Sequence, residues 1–600
     1  MKNFKEKADL IWKVADLLRG DYKQSDYGKV ILPMTVLRRL DSVLAPTKQA
    51  LLDYLPKVAT LKTDSAKEVA LNNKAGLNFH NRSPYNFDKL VADPDNIAVN
   101  LRNYINGFSS SAREIIEYFN FDDQIDRMDD PKADILFRVV KSFQEIDLAD
   151  MDSMEMGYVF EELIRKFAEQ SNETAGEHFT PREVIKLMVN LLFNEDREIL
   201  TQQGIVKTLY DPACGTGGML SVAEAYLKEL NPKAELKVFG QEINPESYAI
   251  CKADMLIKGQ NPANIKFGNT FTVDGLSEEK FDYMLSNPPF GVDWKKAEKI
   301  ISTEAANKGY AGRFGAGLPR INDGSLLFLQ HMISKMRPNS TRIAIVFNGS
   351  PLFTGAAESG ESNIRKWIIE NDWLEAVIAL PDQLFYNTGI STYIWIVTNH
   401  KNAERKGKIQ LINATGVKDE ELIKAGKLDF NRFWRKMDRS LGNKRKYIIE
   451  NGQEKGIGFI TRLYGDYVEN EFCKIYPNAF FGYWRVTVEQ PLLENGRDVT
   501  DRSGNPKPDA SLRDYENIPF LQKDTQGKLI PQSIEEYFAR EVKPHLPTAW
   551  IDHSKTKIGY EINFTKYFYE FKPLRPLAEI KAEILALEET ILQAEKTILD

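Results

Sequence analysis

The chain has 600 residues, of which 42% are hydrophobic and 28% charged, and its formal net charge is −7. This length exceeds what one ordinary hydrophobic core supports, so the composition predicts a globular protein of two or three domains. The acidic balance excludes a uniformly basic surface of the kind that grips nucleic acid unaided. No apolar run approaches the roughly 20 residues that a membrane-spanning helix requires.

The three cysteines lie far apart in the sequence and form no Cys-x-x-Cys pair. They are Cys214, Cys251 and Cys473. We therefore expect neither a disulfide framework nor a zinc cluster, which is typical of a cytoplasmic protein.

Residues 1–145 have the periodicity of a helical domain. Apolar residues at helical spacing are followed by Gly20, a residue that commonly ends helices; they are Ile11, Val14, Ala15 and Leu18. Further helices are predicted over 30–44 and 135–143, whereas the polar segment 62–86 resembles a loop.

From residue 146 to residue 495 we expect a second, catalytic domain. A helix around 156–163 is followed, from about residue 178, by short β-rich runs that alternate with helical patterns. The runs are 206–210, 236–239, 281–285, 343–347 and 376–380. Such alternation predicts a parallel, doubly wound α/β sheet, which binds ligands at the carboxyl ends of its strands.

The remaining sequence is predicted to form a linker and C-terminal segment over 496–575, and then a helix over 576–600. Apolar residues of that helix follow a 3, 4 spacing, which indicates an a/d heptad seam; they are Leu577, Ile580, Ile584, Leu587, Ile591, Ala594 and Ile598. The seam either packs on its own domain or docks onto a partner helix.

A glycine-rich loop follows the first strand. Asp211-Pro-Ala-Cys-Gly-Thr-Gly-Gly218 contains three glycines within four residues, which lets the backbone turn tightly and approach a ligand. The second strand ends near Glu242, where a carboxylate can accept hydrogen bonds from ribose hydroxyls. A tight turn in another Rossmann-like protein is the alternative.

The strand over 281–285 leads to Asn287-Pro288-Pro289-Phe290. Methylation of a planar amine requires acceptors for its N–H groups, and the Asn287 side chain and the Pro288 carbonyl can provide them. The two prolines stiffen the loop, and Phe290 offers a stacking face for an extruded base. By itself the tetrapeptide leaves DNA adenine, the cytosine amine and protein glutamine open as substrates.

Flanking segments narrow this choice through a family resemblance. Four further segments occur together with the two motifs above. They are Glu177-His-Phe-Thr-Pro-Arg182, Leu326-Leu-Phe-Leu-Gln-His-Met332, Phe347-Asn-Gly-Ser-Pro-Leu-Phe353 and Leu380-Pro-Asp-Gln-Leu-Phe385. The chain resembles the modification (M) subunit of type I restriction-modification systems, an adenine-N6 DNA methyltransferase. The resemblance implies a Rossmann-like S-adenosylmethionine-dependent methyltransferase domain with an N-terminal helical domain and a C-terminal helical tail.

The resemblance also implies the site residues. Asn287, Pro288, Pro289 and Phe290 would be catalytic. The cofactor S-adenosylmethionine would be bound by Glu177, His178, Phe179, Thr180, Pro181, Arg182, Asp211, Ala213, Cys214, Gly215, Thr216, Gly217, Glu242 and Asn269. The family often has Asp at the position of Asn269, and no metal ion is expected.

The implied partners are double-stranded DNA, a specificity (S) subunit, a second copy of the chain and a restriction (R) subunit. The N-terminal domain would help to clamp DNA, and the C-terminal helix would contact the specificity subunit. The sequence between the glycine loop and the tetrapeptide contains no inserted recognition domain, which agrees with target recognition by a separate subunit. A basic cluster over 435–446 either meets phosphates or is an ordinary solvated surface. A catalytically silent scaffold and a stand-alone methyltransferase remain alternatives.

Overall fold

The structure is a computed structural model that describes residues 3–130, 132–171, 180–289, 291–386, 388–416, 432–494, 497–569 and 576–599. The chain forms two compact units, Met1–Ile562 and Asn563–Asp600. In the described ranges, every helix is too short or too polar to cross a bilayer.

The N-terminal region is helical, as predicted. Its helices are Asn3–Trp12, Val14–Leu18, Gly28–Leu44, Lys48–Leu52, Leu55–Val58, Asp64–Ala75, Phe87–Val91, Ile97–Asn106, Ser110–Glu117, Phe121–Met128 and Ile135–Gln144. Their apolar faces share one core that continues into Ile250 and Leu256 of the catalytic region. Gly20, with a φ of +101°, follows the second helix closely, as the sequence indicated.

The expectation of a loop over 62–86 is wrong for the helix Asp64–Ala75. The Thr63 side chain accepts a hydrogen bond from the Ala66 amide at the start of this helix, and Gly76 ends it in the left-handed conformation. Only Leu71 and Ala75 of this helix are buried. A mostly exposed helix with good caps lacks the apolar periodicity on which the prediction depended.

A nine-stranded sheet forms the centre of the catalytic region. Eight of its strands are β1 (Val206–Asp211), β2 (Glu235–Glu242), β3 (Ile265–Phe267), β4 (Tyr283–Ser286), β5 (Arg342–Asn348), β6 (Leu374–Ala379), β7 (Thr392–Thr398) and β8 (Lys408–Asn413), and the ninth is Cys473–Pro477. The strand order is Cys473–Pro477, β8, β6, β7, β5, β4, β1, β2, β3.

The sheet is mixed rather than entirely parallel, which corrects the prediction. Strands β1 to β5 pair in parallel, but β7 runs antiparallel to both β5 and β6, and Cys473–Pro477 runs antiparallel to β8. The connection over 380–391 has no helix among its described residues. Without a crossover helix the chain returns beside its preceding strand in the opposite direction.

Helices cover both faces of this sheet and bury its central strands. The helices of this region are Arg182–Asn194, Arg197–Leu200, Gly218–Leu230, Pro245–Ile257, Glu298–Lys308, Ser325–Ser334, Ser350–Phe353, Gly360–Glu370 and Gly456–Asp466, whereas Ser153–Ser171 packs into the N-terminal core. All of the residues of β6 are buried, as is expected of a strand covered on both faces.

A smaller antiparallel sheet joins Gly482–Glu489, Asp514–Pro519 and Trp550–Tyr560. The predicted linker and C-terminal segment over 496–575 therefore contributes two strands to this sheet, Asp514–Pro519 and Trp550–Tyr560. Two short hairpins pair Leu493–Glu494 with Arg497–Asp498, and Leu521–Lys523 with Leu529–Pro531. Ile534–Tyr537 forms a short helix after them.

The basic cluster at 435–446 lies on the hairpin Trp434–Leu441 and Lys444–Ile448, and part of it is structural. Lys444 is buried and forms an ion pair with Glu183, so its ammonium is withdrawn from any phosphate. Lys446 pairs with Asp382 and lies over the Trp434 ring at 4.3 Å.

The second compact unit contains Phe564–Tyr567 and the helix Leu577–Leu599, which confirms the predicted terminal helix. Four residues of its apolar seam are exposed: Leu577 is 80% exposed, Leu587 65%, Ile584 55% and Ile591 51%. Ile580 is half-buried.

Candidate active site

A cavity of about 450 Å³ lies where the carboxyl ends of β1, β2, β3 and β4 meet. This volume is in the range of small-molecule sites. The lining includes residues from the glycine loop, the end of β2, the segment after β3 and the tetrapeptide, such as Gly215, Glu242, Asn269 and Asn287. Motifs separated by many residues in the sequence therefore surround one space.

The glycine loop connects β1 to the helix Gly218–Leu230. Gly215 has a φ of +53° and Gly217 a φ of +84°, a conformation that side chains disfavour. A Cβ atom on Gly217 would also lie 2.8 Å from the Cys251 sulfur. The backbone can turn here only because these positions are glycine. Of the other predicted loop residues, Ala213, Cys214 and Thr216 line the cavity.

Glu242, at the end of β2, forms a hydrogen bond to the glycine loop. One carboxylate oxygen accepts a hydrogen bond from the Gly215 amide at 2.8 Å, and the other accepts from the amides of Ile243 at 2.9 Å and Asn244 at 2.7 Å. Burial raises the pKa of Glu242, and these amides oppose the rise. The carboxylate thus fixes the loop while it faces the cavity, where the sequence predicted a ribose contact.

Asp211 joins the glycine loop to the tetrapeptide. Its Oδ1 atom accepts hydrogen bonds from the Ala213 amide at 3.0 Å and from the Ser286 hydroxyl at 2.9 Å. Ser286 directly precedes Asn287. Asp211 was predicted to bind the cofactor; it lines the cavity, and its hydrogen bonds give it the additional role of holding the two loops together.

Burial raises the pKa of Asp211 to about 7, with a smaller contribution from Glu242, although the Ala213 amide and the Ser286 hydroxyl oppose the rise. Between about pH 4 and pH 7 this carboxyl is therefore protonated in the folded protein and ionised in the unfolded chain. As the pH rises through that window, the free energy of unfolding falls by up to about 4 kcal/mol. In Asp211→Asn this loss is absent, because the amide does not titrate.

We expect the free energy of unfolding to fall less steeply from pH 5 to pH 8 in Asp211→Asn than in the wild type. Urea denaturation at several pH values measures the difference. Parallel profiles for the two proteins would contradict the assignment.

The tetrapeptide follows the buried strand β4. Asn287 is 8% exposed, and both Asn287 and Pro289 line the cavity. Pro288 is buried beside them. Phe290 lies outside the described residues, so its predicted stacking role stays a prediction.

Only half of the segment 177–182, which precedes the glycine loop, lies within the described residues. Glu177, His178 and Phe179 lie outside the described residues. Thr180 lines the cavity. Pro181 immediately precedes the helix Arg182–Asn194, and the Arg182 side chain forms an ion pair with Glu161 instead of facing the cavity.

Several cavity residues were not singled out from the sequence. Trp294, Lys296 and Phe328 line it, and the Trp294 indole N–H donates to the Arg320 carbonyl at 3.0 Å. Trp294 and Lys296 lie shortly after the tetrapeptide, and Phe328 lies in the segment 326–332 quoted above, so their position in the sequence was the only signal. Glu161 also lines the cavity, but it lies far upstream on the helix Ser153–Ser171.

His331 is buried in the core, as its apolar neighbours suggested. Its Nε2 atom lies 3.0 Å from the Tyr210 hydroxyl, and burial lowers its pKa to about 3. A neutral imidazole in this position is structural.

The residues present fit S-adenosylmethionine. The cavity has the volume for a nucleoside with an amino-acid arm, and the glycines leave the backbone open to close approach. Glu242 at the end of the second strand is placed to meet ribose hydroxyls.

Comparison with known proteins identifies the family. The profile described as N-6 DNA Methylase matches residues 151–445, and that of the HsdM N-terminal domain matches residues 8–143. Residues 151–445 of the chain belong to the N-6 DNA methylase family. The matched residues 151–445 include the glycine loop, Glu242 and the tetrapeptide.

Curated relatives agree with this. The type I restriction enzyme MjaVII methylase subunit of Methanocaldococcus jannaschii is 31% identical over 284 residues, which are 47% of this chain and 46% of that protein. The HindI methylase subunit of Haemophilus influenzae is 29% identical over 43% of this chain and 54% of its own length. The chain thus spans about half the length of the curated relatives it matches.

A solved structure supports the fold. The type I restriction-modification system methyltransferase subunit from Streptococcus thermophilus superposes with a TM-score of 0.59 at 23% identity, over 79% of this chain and 96% of that chain.

Proposed function

We propose that this chain transfers a methyl group from S-adenosylmethionine to the N6 amine of adenine in DNA, as the modification subunit of a type I restriction-modification complex. The observation that carries the proposal is that the glycine loop, Glu242 and Asn287 line one cavity. Family membership supports adenine rather than a protein amide as the substrate.

The chemistry needs little from the chain beyond positioning. S-adenosylmethionine, when bound, supplies a methyl group activated by a positively charged sulfur. The Asn287 side-chain oxygen and the Pro288 carbonyl accept the two N6 hydrogens of adenine. These acceptors favour a pyramidal nitrogen and stabilise the positive charge that develops during attack.

The cofactor would supply its methyl carbon to the adenine nitrogen, and the electron pair of the broken carbon–sulfur bond would remain on sulfur. The surplus proton leaves N6 for solvent. Because the acceptors lie in a buried cavity, the adenine must leave the duplex to reach them. Phe290 would stack on the extruded base.

We further propose the predicted assembly: double-stranded DNA, a specificity subunit, a second copy of the chain and a restriction subunit. In this proposal residues 1–145 contact DNA, residues 146–495 perform the transfer, 496–575 link, and 576–600 dock onto the specificity subunit. The exposed seam at Leu577, Ile584 and Leu587 supports the last of these roles. The acidic net charge supports a division of DNA binding between chains.

A labelled-methyl transfer assay tests the proposal. The purified chain is incubated with DNA and S-adenosylmethionine, with and without a co-expressed specificity subunit, and the methylated base is identified. We expect N6-methyladenine only in the presence of the specificity subunit. Transfer without it would indicate a stand-alone enzyme, and no transfer despite cofactor binding in the assembled complex would favour a silent scaffold.

A further inference from the structure

The helix Ser153–Ser171 connects the N-terminal core to the cofactor cavity. Val159, Phe160 and Leu163 are buried in the N-terminal helical core. Glu161, one residue after Phe160, lines the cavity beside Thr216 and Gly218. A single helix therefore delivers a carboxylate from the N-terminal half of the protein to the glycine loop.

Arg182 holds this carboxylate in place. Its Nη2 atom lies 2.6 Å from Glu161 Oε1, and its Nη1 atom donates to the Gly218 carbonyl at 3.2 Å. The guanidinium also lies over the Tyr158 ring at 5.0 Å. The Arg182 side chain is 4% exposed and that of Glu161 13%. Both charges are withdrawn from bulk water, and each fixes the other.

Two glycines make room for the pair. A Cβ atom on Gly157 would lie 2.4 Å from Arg182 Nη2, and one on Gly218 would lie 3.3 Å from Glu161 Oε1. The ion pair is therefore seated between the backbones of two helices. Such seating positions a side chain much more firmly than a surface ion pair does.

Two other carboxylates near the glycine loop, Asp211 and Glu242, already accept hydrogen bonds from other groups of the protein. Asp211 holds Ala213 and Ser286, and Glu242 accepts three backbone amides. Glu161 differs, because its described partner is a cation, and a carboxylate can accept more hydrogen bonds than Arg182 supplies. Burial raises the pKa of Glu161, and the Arg182 charge opposes the rise.

We propose that Glu161 is a further cofactor-binding residue, which recognises the α-ammonium group of the methionine part of S-adenosylmethionine. The inference rests on the proposed function. Next to it, the start of the 13-residue helix at Gly218 favours the negative charge of the α-carboxylate. Glu161 and the helix terminus together match a zwitterionic amino acid, and Arg182 acts as a positioning residue behind Glu161.

Glu161→Gln tests this by removing the charge and keeping a hydrogen-bond acceptor for Arg182. Calorimetry is performed with S-adenosylmethionine, S-adenosylhomocysteine and 5′-methylthioadenosine, which lacks the amino-acid arm. We expect the first two to bind about ten- to one-hundredfold more weakly and 5′-methylthioadenosine to bind unchanged, since a charge-assisted hydrogen bond is lost only where the ammonium is present. The measured ratio of affinities is independent of the fraction of folded protein.

Glu162→Gln is the matched control. Glu162 is the next residue on the same helix, and it pairs with Arg165 at 2.6 Å with a similar exposed fraction. This variant should bind all three compounds as the wild type does. If Glu161→Gln fails to fold, Glu161→Asp retains the charge but withdraws it from the cavity, and the same ratio should still fall.

If Glu161→Gln lowers the affinity for all three compounds equally, Glu161 has only a structural role and the inference is overturned. Weakening of S-adenosylmethionine alone would assign the contact to the sulfonium instead, and would overturn it too. If the wild type binds neither S-adenosylmethionine nor S-adenosylhomocysteine, the proposed function itself fails. If the wild type binds both and the variant matches it, only the role of Glu161 fails.

Discussion

Replacing Asn287 with alanine is expected to lower methyl transfer by at least about a hundred- to a thousandfold while the affinity for S-adenosylmethionine stays within about threefold. The substitution removes one of the two acceptors for the amine hydrogens, and such preorganised groups typically contribute this much to catalysis. We expect cofactor binding to depend mainly on the glycine loop and Glu242, whose hydrogen bonds to each other do not involve Asn287. Single-turnover transfer and calorimetry on the assembled complex measure the two quantities.

Asn402→Ala is a suitable control for this experiment. Asn402 donates a hydrogen bond to Glu195 at 2.6 Å on an exposed surface, outside the cavity lining. The control should retain transfer and cofactor affinity. An Asn287→Ala enzyme that methylates DNA at the normal rate would refute the catalytic assignment.

Replacing Glu375 with glutamine is expected to lower the free energy of unfolding by about 3–5 kcal/mol, because it leaves a buried arginine without its counter-charge. Glu375 on β6 forms an ion pair with Arg342 on β5, and the Tyr464 hydroxyl contacts both side chains. Arg342 and Glu375 are each 1% exposed. Burial raises the pKa of Glu375, but Arg342 and Arg405 more than offset this, so the pKa lies below its ordinary value. Equilibrium urea denaturation measures the change.

Glu454→Gln provides the comparison. Glu454 pairs with Arg462 on the same helix that carries Tyr464, but its side chain is 68% exposed. Solvent screens such a pair, and we expect a much smaller change in the free energy of unfolding than in Glu375→Gln. The double variant Arg342→Met with Glu375→Leu should be much less destabilised than Glu375→Gln, because no unpaired charge remains. Similar losses in Glu375→Gln and Glu454→Gln would contradict the predicted effect of burial.

The sequence predicted the elements whose pattern is local. The strands that deliver Asp211, Glu242 and Asn287 were recognised because each is a short apolar run followed by polar or glycine residues. The helix Leu577–Leu599 was recognised from its heptads. These features depend on neighbours within a few residues, and a single sequence contains that information.

Other features depend on distant parts of the chain. The reversed direction of β7 follows from the sheet order rather than from the composition of Thr392–Thr398. The cavity role of Glu161 depends on how the helix Ser153–Ser171 packs, and Arg182 was assigned to the cofactor by its place in a motif. Lys444 belonged to a basic cluster in the sequence, but tertiary packing pairs it with Glu183.

The hydrogen bond between Asp211 and Ser286 joins two positions 75 residues apart in the sequence. Substitutions in the glycine loop and at the end of β4 will therefore be epistatic, and double-mutant cycles between the two segments will show coupling instead of additivity. In a laboratory-evolved or chimeric enzyme, these two segments have to be exchanged as a pair. A chimera that takes only one of the two segments from a relative will combine a loop with a hydrogen-bond partner that did not evolve with it.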